Sequence, residues 1–302
     1  MSLTIIIPTR NRKVLLKKIV KNLLINFKEI NQIIIVDSSD RSESKAKFLT
    51  NRKVLYVYSG IKSAAIQRNI GLSLVQPNCK YVGFLDDDVS PPENYFIELI
   101  TLLKNKKATG VSGVAKNPNI HKSKKTTKVF ELYREFFSLD SNKEGVVLNS
   151  GVNIPVKSIS NANPILESKW LIGCAIWDYQ KIKLLRFDNR FFGQSLGEDV
   201  LFSVKASKYG KLFVKRNLVL KHFESPLSRP NYMNHNRMWV KNRFYICQEI
   251  LDGKFKTSYH WCNFGKFLSI LLFSPRHPLK FVFGSLGMFL GITDLIKDKY
   301  AS

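Results

Sequence analysis

Apolar and polar positions alternate in blocks through the first third of the chain and predict strands and helices in turn. Short β-branched runs bounded by turn residues are typical of buried strands, whereas apolar residues three or four positions apart indicate amphipathic helices. Strands are predicted at residues 3–8, 32–37, 54–59 and from residue 81, and helices at 13–27, 41–50, 63–75 and 93–104. This order favours an α/β fold of the Rossmann-like kind, with a mostly parallel sheet and helices on both faces.

The remaining two thirds of the chain have a less regular pattern. A strand is predicted at 111–114, a polar and basic surface loop at 116–128, and short extended pieces at 146–154 and 170–176. A helix is predicted to begin at Glu198 and to end at Gly210, and a strand follows at 212–220. Two apolar stretches follow near the end of the sequence, at 264–273 and 279–292.

The composition is that of a folded protein with a large excess of basic residues. Of the 302 residues 44% are apolar, which is enough for a core and excludes a disordered chain. The formal net charge of +25 favours anionic partners such as lipid headgroups, phosphorylated substrates or nucleic acid. The four cysteines lie far apart, without the spacing of a zinc site, and the first residues lack the order of a signal peptide. We therefore expect reduced cysteines and a cytoplasmic protein.

Three consecutive carboxylates end the apolar run that begins at Tyr81. Alternate side chains of an extended chain share a face, so Asp86 and Asp88 are predicted to point one way and Asp87 the other. Two carboxylates on one face suit Mg²⁺ or Mn²⁺, ions that keep open positions for phosphate oxygens. The alternative is a solvated acidic turn that caps the next helix, and this short pattern alone does not choose between the two.

Polar residues also follow the other predicted strands, at the edge where such sheets bind ligands. Thr9, Arg10 and Asn11 follow the first strand, Asp37 ends the second, and Arg68 lies on a helix that can reach the same edge. Hydroxyl, amide, carboxylate and guanidinium groups together suit a nucleotide pocket, although a helix cap and a surface charge are ordinary alternatives for the last two residues. The sequence contains neither glycine-rich phosphate-binding motif, which argues against a dinucleotide-binding fold and a P-loop protein.

Two later positions complete the candidate set. Glu198 and Asp199 start a helix after a glycine-containing turn. The helix dipole stabilises carboxylates there, and such a carboxylate can also accept a proton from an approaching hydroxyl. His222 follows a strand, where a lone histidine is more often structural, but imidazole also completes metal sites that are built on carboxylates.

Taken in order, these segments resemble the family 2 glycosyltransferases of the GT-A fold, and most of all bacterial enzymes of O-antigen and capsule assembly. The segments are IIIPTRNR, IIIVDSSD, QRNIG, FLDDDV and FDNRFFGQSLGEDV, followed by His222. The resemblance implies a nucleotide site, a site for Mg²⁺ or Mn²⁺ and a catalytic base. The nucleotide site would comprise Thr9, Arg10, Asn11, Asp37, Arg68 and Asp86, the metal ligands would be Asp86, Asp88 and His222, and the base would be Asp199 with Glu198 beside it.

The resemblance further implies inverting transfer of a sugar from a UDP-, dTDP- or GDP-linked donor to a hydroxyl of a glycan or a polyprenyl-diphosphate-linked acceptor. Residues 1–230 would then form a catalytic domain, with a nucleotide-binding half at 1–115 and an acceptor-binding half at 116–230. A nucleotidyltransferase of the same fold class is an alternative, but it would be expected to carry a glycine-rich basic loop after the first strand. A basic nucleic-acid-binding protein is a second alternative that leaves the strand-end carboxylates unexplained, so we expect no nucleic-acid partner.

Residues 231–302 are predicted to form a C-terminal helical arm rich in basic and apolar residues. A membrane-spanning helix needs about 20 apolar residues, and both apolar stretches fall short of that length. We therefore expect helices that lie in the interface of an anionic membrane, which would make the protein peripheral on the inner face of the cell membrane. The alternative is that these helices pack on the catalytic domain as ordinary core helices.

Overall fold

The computed structural model of the protein describes residues 2–41, 50–118, 127–159, 164–193, 195–223, 231–252, 256–273 and 278–301. The helix predicted at 41–50 and most of the loop predicted at 116–128 lie outside these residues. The chain divides into two compact units. We call the first the sheet unit, Met1–Lys122 with Val156–Ser228, and the second the helical unit, Ser123–Pro155 with Arg229–Ser302.

The described elements alternate in the first third of the chain as the pattern predicts. The strands are β1 Leu3–Thr9, β2 Ile30–Asp37, β3 Val54–Tyr58, β4 Tyr81–Phe84, β5 Val89–Ser90, β6 Gly110–Lys116, β7 Ile165–Ser168, β8 Ile176–Asp178 and β9 Leu212–His222. The helices are α1 Lys13–Asn26, α2 Ala64–Ser73, α3 Tyr95–Asn105, α4 Lys128–Phe136, α5 Tyr179–Ile182, α6 Glu198–Ala206, α7 Tyr232–Leu251, α8 Thr257–Phe273 and α9 Pro278–Ala301.

The nine strands of the described residues belong to one sheet, in the order β3-β2-β1-β4-β8-β6-β9-β5, with β7 also paired to β9. The pairings among β1, β2, β3 and β4 are parallel, as is the pairing of β6 with β9. The strands β5, β7 and β8 pair in the antiparallel sense. The carboxyl ends of β1, β2 and β4 therefore meet at one edge, which is where the candidate residues of the sequence lie.

Helices cover both faces of this sheet. Alternate residues of β1, such as Ile5 and Ile7, belong to a buried core cluster with residues of α1 and α3. Ile6 points to the opposite face, where α2 lies so close that a Cβ added at Gly71 would stand 2.4 Å from the Ile6 Cγ2 atom. The predicted α/β architecture is confirmed, because the apolar runs of the strands are buried on both sides.

The helical unit has a core of its own, formed by residues of α7, α8 and α9 together with residues 152 and 154. Glycines bring α9 close to α7: a Cβ added at Gly287 would lie 2.2 Å from the carbonyl oxygen of Met233. Ion pairs join the same two helices, since Arg237 bonds Asp294 at 2.6 and 2.7 Å and Lys241 lies 3.0 Å from Asp298. Residues 123–155 group with this unit, whereas the sequence prediction placed them in the acceptor-binding half of the first domain.

Two predictions about the second part of the chain are wrong. The extended piece predicted at 170–176 is a loop up to residue 175, because the strands lie on either side of it as β7 and β8. The second apolar stretch was predicted to be too short to span a membrane. The segment Pro278–Asp298 of α9, with 21 residues and a mean hydropathy of 1.6, is long and apolar enough to do so by length and composition.

Candidate functional site

The three carboxylates after β4 stand in a turn. Asp86 and Asp88 were predicted to share a face because alternate side chains of an extended chain point the same way. Strand β4 ends at Phe84, however, so this alternation does not apply to the two residues. The turn leads into β5, which pairs with β9 so that Val89 lies opposite His222. The Phe223 N–H also donates to the Asp88 carbonyl oxygen at 2.9 Å. This pairing brings a histidine from 134 positions later beside the acidic turn.

Asp86, Asp88 and His222 converge. One possible ligand atom from each residue lies within 4.8 Å of the other two. The His222 Nε2 atom is 3.0 Å from an Asp88 carboxylate oxygen. The Asp88 side chain is 6% exposed, while Asp86 and His222 are about one third exposed, at 31% and 29%, so the cluster opens toward solvent on their side. Two carboxylates and an imidazole are a donor set that Mn²⁺ and Mg²⁺ accept, and the open side leaves room for phosphate oxygens.

Asp87 takes no part in this cluster. Its carboxylate accepts hydrogen bonds from the Thr9 hydroxyl at 2.7 Å and from Arg12 Nη1 at 2.8 Å. Burial raises the pKa of Asp87 to about 6, against the opposing effect of Arg12. Arg12 Nη1 also lies 3.3 Å from an Asp88 oxygen, so this one guanidinium offsets the repulsion within the acidic turn.

Arg68 links the acidic turn to the start of α6. Its side chain is 4% exposed, and its Nη2 donates to Asp86 Oδ1 at 2.9 Å. Its Nη1 donates to the Glu198 carboxylate. Gly173 lies beside this pair, since a Cβ added there would stand 3.2 Å from Arg68 Nη2 and 3.8 Å from Asp86 Oδ2. The two acidic groups, which lie more than a hundred positions apart in the sequence, therefore share one site.

The adjacent acids of α6 have different partners. Gly197 precedes them in the left-handed conformation, with φ of 88°, which turns the chain sharply into the helix. Glu198 is buried against Arg68, whereas Asp199 uses Oδ1 to accept from the Val200 N–H at 2.8 Å, and no described residue hydrogen-bonds its Oδ2. Burial raises the pKa of both carboxyl groups, and Arg68 partly offsets this effect.

The residues predicted to hold a nucleoside lie at the ends of β1 and β2. Asp37 is buried, and its carboxylate accepts from the Ser39 hydroxyl at 2.5 Å and from the Tyr56 hydroxyl at 2.6 Å. Gln67 of α2 donates to the carbonyl oxygens of Thr9 at 2.8 Å and Val36 at 2.6 Å, which fixes the helix to both strand ends. Asp37 thus shapes this edge of the site through its neighbours.

Arg10 and Asn11 lie farther toward solvent. Asn11 is exposed, has a positive φ of 55°, and exchanges hydrogen bonds with Asp40, donating through Nδ2 and accepting from its N–H, both at 2.9 Å. Arg10 lies 3.9 Å from an Asp40 oxygen. These two residues join the loops that follow β1 and β2, so both can border a ligand at that edge.

Sequence reasoning gave no role to three residues that organise the site. Arg12 neutralises the acidic turn, Gln67 ties α2 to two strands, and Tyr56 holds Asp37. Arg12 was visible in the motif IIIPTRNR, but its partners are 75 and 76 positions away. Gln67 and Tyr56 carry no local signal, since each is an ordinary residue of a helix or strand until the fold places it.

Solved structures support the assignment of the fold. S. aureus TarS (residues 1-349) in complex with UDP-GlcNAc is 14% identical, with 93% of this chain and 79% of that chain covered and a TM-score of 0.56. GalNAc-T7 with UDP, GalNAc and Mn²⁺ is 14% identical with a TM-score of 0.60, and the whole of this chain spans 57% of it. At such identities the likeness shows the fold alone, which is the GT-A fold.

The sequence itself shows the family. A search of curated proteins found no match. Residues 4–156 match the model of the family described as Glycosyl transferase family 2, and this segment includes the acidic turn, Arg68 and Asp37. It is just over half of the 302 residues. The predicted resemblance to this family is thus confirmed, and the chain belongs to glycosyl transferase family 2 and is a glycosyltransferase.

Proposed function

We propose that this chain is a metal-dependent inverting glycosyltransferase that moves a sugar from a nucleoside-diphosphate donor to an acceptor hydroxyl. The observation that carries the proposal is the position of Arg68, which bonds both Asp86 of the acidic turn and Glu198 at the start of α6. Asp86, which would ligate the metal, and Asp199, the candidate base next to Glu198, therefore belong to one site, as the reaction requires. The solved GT-A structures that contain UDP, UDP-GlcNAc and Mn²⁺ support the choice of donor class and metal.

Asp86, Asp88 and His222 would hold the divalent ion. A Mg²⁺ or Mn²⁺ ion held by these residues would supply positive charge for the leaving diphosphate and Lewis acidity in place of an acidic side chain. Arg12 and His222 contact different oxygens of the Asp88 carboxylate. Arg12 lies beside Oδ2, and the His222 imidazole lies beside Oδ1. The remaining open side of the cluster, at Asp86 and His222, is the side that a diphosphate can approach.

Asp199 is the residue that we assign as general base. A carboxylate with a free oxygen can accept the proton of an acceptor hydroxyl, and a raised pKa brings it closer to the pH at which proton transfer is efficient. Glu198 is bonded to Arg68 and would act as a positioning residue, because it fixes the guanidinium that also contacts Asp86. With one base and one leaving group on opposite faces of the sugar, a single displacement inverts the anomeric configuration.

The nucleoside part of the donor would lie along the ends of β1 and β2. Thr9, Asp37, Arg10 and Asn11 border that edge, and Arg68 closes it on the side of the acidic turn. Polar side chains that already hydrogen-bond one another are pre-organised for a ligand, because they lose little further conformational entropy when the ligand binds. The polar groups of this edge suit the nucleobases of UDP, dTDP and GDP equally, and the thermal-shift experiment below distinguishes these three donors.

We further propose that the helical unit docks on an anionic membrane, where a lipid-linked acceptor would be found. The glycines of α9 face α7, and its opposite side leaves a stripe of large apolar residues exposed. These residues are Leu279, Val282, Phe283, Leu286, Phe289, Ile292 and Ile296. A soluble helix would carry polar residues there, and the net charge of +25 favours an acidic bilayer over a neutral surface. Ion pairs join α9 to α7, which carries several charged residues. We therefore favour a position of α9 on the bilayer over one in which it crosses the bilayer.

Helix α4 also exposes apolar side chains in the helical unit. It exposes Val129, Leu132 and Phe136, the last at 66%, although it lies far from the C-terminal stretches in the sequence. Trp261 of α8 donates its indole N–H to the Phe136 carbonyl oxygen at 2.8 Å, and the two rings lie 5.3 Å apart. Tryptophan is enriched at the bilayer interface, and phenylalanine is common on the apolar face of helices that lie there. We therefore assign α4, α8 and α9 to one docking surface.

The decisive experiment is a thermal-shift measurement on the full chain with UDP, dTDP and GDP, each with Mn²⁺ and with EDTA. We expect one nucleoside diphosphate with Mn²⁺ to raise the Tm, because a ligand that binds only the folded state stabilises it. Asp88→Ala should lose the metal-dependent part of the shift, whereas Glu93→Ala, at an exposed carboxylate outside the site, should keep it. An unchanged metal-dependent shift in Asp88→Ala would refute the metal site. Release of pyrophosphate instead of a nucleoside diphosphate during turnover would identify a nucleotidyltransferase.

A further inference from the structure

A second group of cations lies within the helical unit, remote in sequence from the acidic turn. His235, Trp239 and Arg243 recur every four residues along α7 and therefore lie on one face of that helix. Lys266 of α8 contacts the same face. The apolar neighbours Cys247 and Cys262 are buried beside it.

Arg243 and Lys266 share one aromatic ring. The Arg243 Cζ atom lies 3.6 Å from the centroid of the Trp239 ring, and the Lys266 Nζ atom lies 5.7 Å from the same centroid. The Nε and Nη1 atoms of Arg243 are shielded from solvent and have no hydrogen-bond partner among the described residues. A guanidinium has five N–H donors, and buried donors without an acceptor are uncommon in proteins.

Arg243 and Lys266 differ from Arg237 and Lys241, two other basic residues of the helical unit. Arg237 is paired with Asp294 and Lys241 with Asp298, so each has a carboxylate. No described carboxylate is paired with Arg243 or Lys266. Burial lowers the pKa of Arg243 to about 10, and burial followed by the charge of Arg243 lowers the pKa of Lys266.

Among the described residues, the other titratable groups beside the two cations supply no negative charge. Arg134 of α4 adds a further positive charge beside Lys266. Burial and both cations lower the pKa of His235, so this imidazole is neutral at neutral pH. The cysteines have raised pKa values because of burial and are therefore protonated thiols. Two like charges thus lie beside one aromatic ring, and two buried Arg243 donors have no described acceptor, which is the arrangement expected of an anion-binding site.

We propose that Arg243 and Lys266, with Trp239 as the platform that orients them, bind a phosphate or diphosphate group. Arginine presents a planar set of donors that matches phosphate oxygens, and lysine adds a point charge. This inference extends the proposed function, because a diphosphate-linked acceptor and an anionic lipid headgroup both carry that chemistry. A purely structural arginine stacked on tryptophan predicts no effect of phosphate ligands on this part of the molecule.

The first test is the binding of inorganic pyrophosphate to the full chain in EDTA, followed by calorimetry and by tryptophan fluorescence. EDTA removes the contribution of a metal site, so this measurement is independent of the proposed transferase chemistry. We expect saturable binding that is weakened at least tenfold in Arg243→Met and in Lys266→Met. Lys297→Met, at an exposed lysine of α9, should bind as the unchanged chain does. The fluorescence change should be lost in Trp239→Phe.

A stability readout keeps the test valid if one variant folds poorly. Arg243→Met removes a buried charge that has no partner, so we expect a higher Tm without ligand and no further rise with pyrophosphate. The conservative Arg243→Lys should recover part of the binding. Equal affinity for pyrophosphate in Arg243→Met, Lys266→Met and the unchanged chain would overturn the proposal, as would an equal loss of binding in Lys297→Met.

The last arm separates the two sources of the phosphate. Vesicles that contain a polyprenyl diphosphate are compared with vesicles of equal charge made with phosphatidylglycerol. If the chain prefers the diphosphate vesicles tenfold and Lys266→Met loses this preference, the site binds the acceptor. If the chain binds both kinds of vesicle equally and Lys266→Met binds both more weakly, the site binds lipid headgroups. If Lys266→Met binds both kinds of vesicle as the unchanged chain does, the site has no role in lipid binding and this part of the proposal is overturned. If the unchanged chain binds pyrophosphate in EDTA but shows no metal-dependent rise in Tm with any nucleoside diphosphate, the proposed function alone is refuted.

Discussion

Adjacent residues with the same chemistry have different partners in this site, and those partners separate their roles. Asp87 is buried between Thr9 and Arg12, while Asp86 and Asp88 on either side of it turn toward His222. Glu198 is bonded to Arg68, while Asp199 keeps one oxygen free of described partners. A carboxylate that already holds a guanidinium is poorly suited to take a proton from a substrate. The contacts therefore favour the second acid of the pair as the base.

Asp199→Asn tests this assignment. We expect binding of the nucleotide donor to be kept and sugar transfer to fall by a factor of about 10² or more, because an amide cannot accept the proton. In the unchanged enzyme, transfer should decrease as the pH falls through the pKa of Asp199, since the base must be ionised. Burial raises that pKa, so the decrease should occur well above the ordinary aspartate value of about 3.9.

Glu198→Gln is the matched comparison for that variant. It keeps the size of the side chain but removes the charge that holds Arg68, so we expect a lower Tm along with altered donor binding. Asp199→Asn keeps the Oδ1 acceptor for the Val200 N–H and should leave the Tm nearly unchanged. Turnover of Asp199→Asn at the unchanged rate would refute its role as base.

Helices and strands that depend on local sequence patterns were predicted well, whereas a segment held by residues distant in the sequence was not. The strands β1, β2 and β3 and the helix α1 were predicted within a few residues, because their apolar runs are local signals. The loop before β8 was not. Its Ala175 carbonyl accepts from the Phe84 N–H at 3.1 Å, and its Leu171 N–H donates to the Ser203 hydroxyl at 3.0 Å. Partners from β4 and α6 hold this loop in place, so its own sequence carries no regular pattern.

Close packing of α9 on α7 gives a prediction at this scale. Gly287→Ala improves helix propensity by up to about 1 kcal/mol, but its Cβ would stand 2.2 Å from the Met233 carbonyl oxygen. The helices must separate, so we expect a net loss of about 1–3 kcal/mol in the free energy of unfolding, measured by urea denaturation. Phe289→Ala, at a side chain 62% exposed, should change it by less than about 0.5 kcal/mol. Equal effects of the two substitutions would contradict the close contact.

At the scale of the whole molecule, charge and exposed apolar residues act together. The net charge of +25 was evident from the sequence, but it did not show which surface would use it. The structure shows exposed apolar side chains on α4, α8 and α9, all three of which belong to the helical unit. Apolar contact and attraction to acidic lipids add up in binding at an interface.

Sedimentation with vesicles tests the docking surface. We expect the full chain to bind vesicles rich in phosphatidylglycerol, with binding reduced by added salt, because the attraction is partly electrostatic. Phe136→Asp combined with Phe289→Asp should abolish most of the binding. Leu184→Asp, at a residue 86% exposed in the sheet unit, should have little effect and serves as the control. Binding that survives the double substitution would exclude this surface.

The sequence by itself determined the alternation of strands and helices, the family, and the identity of most side chains at the candidate site. These properties depend on local periodicity and on motifs of a few residues, which a chain displays without being folded. Only the tertiary structure decided that Arg68 joins Asp86 to Glu198, that Arg12 neutralises the acidic turn, and that α4 belongs with the C-terminal helices. Those relations connect positions from 18 to more than a hundred residues apart, and spacing along the chain does not specify distance in space.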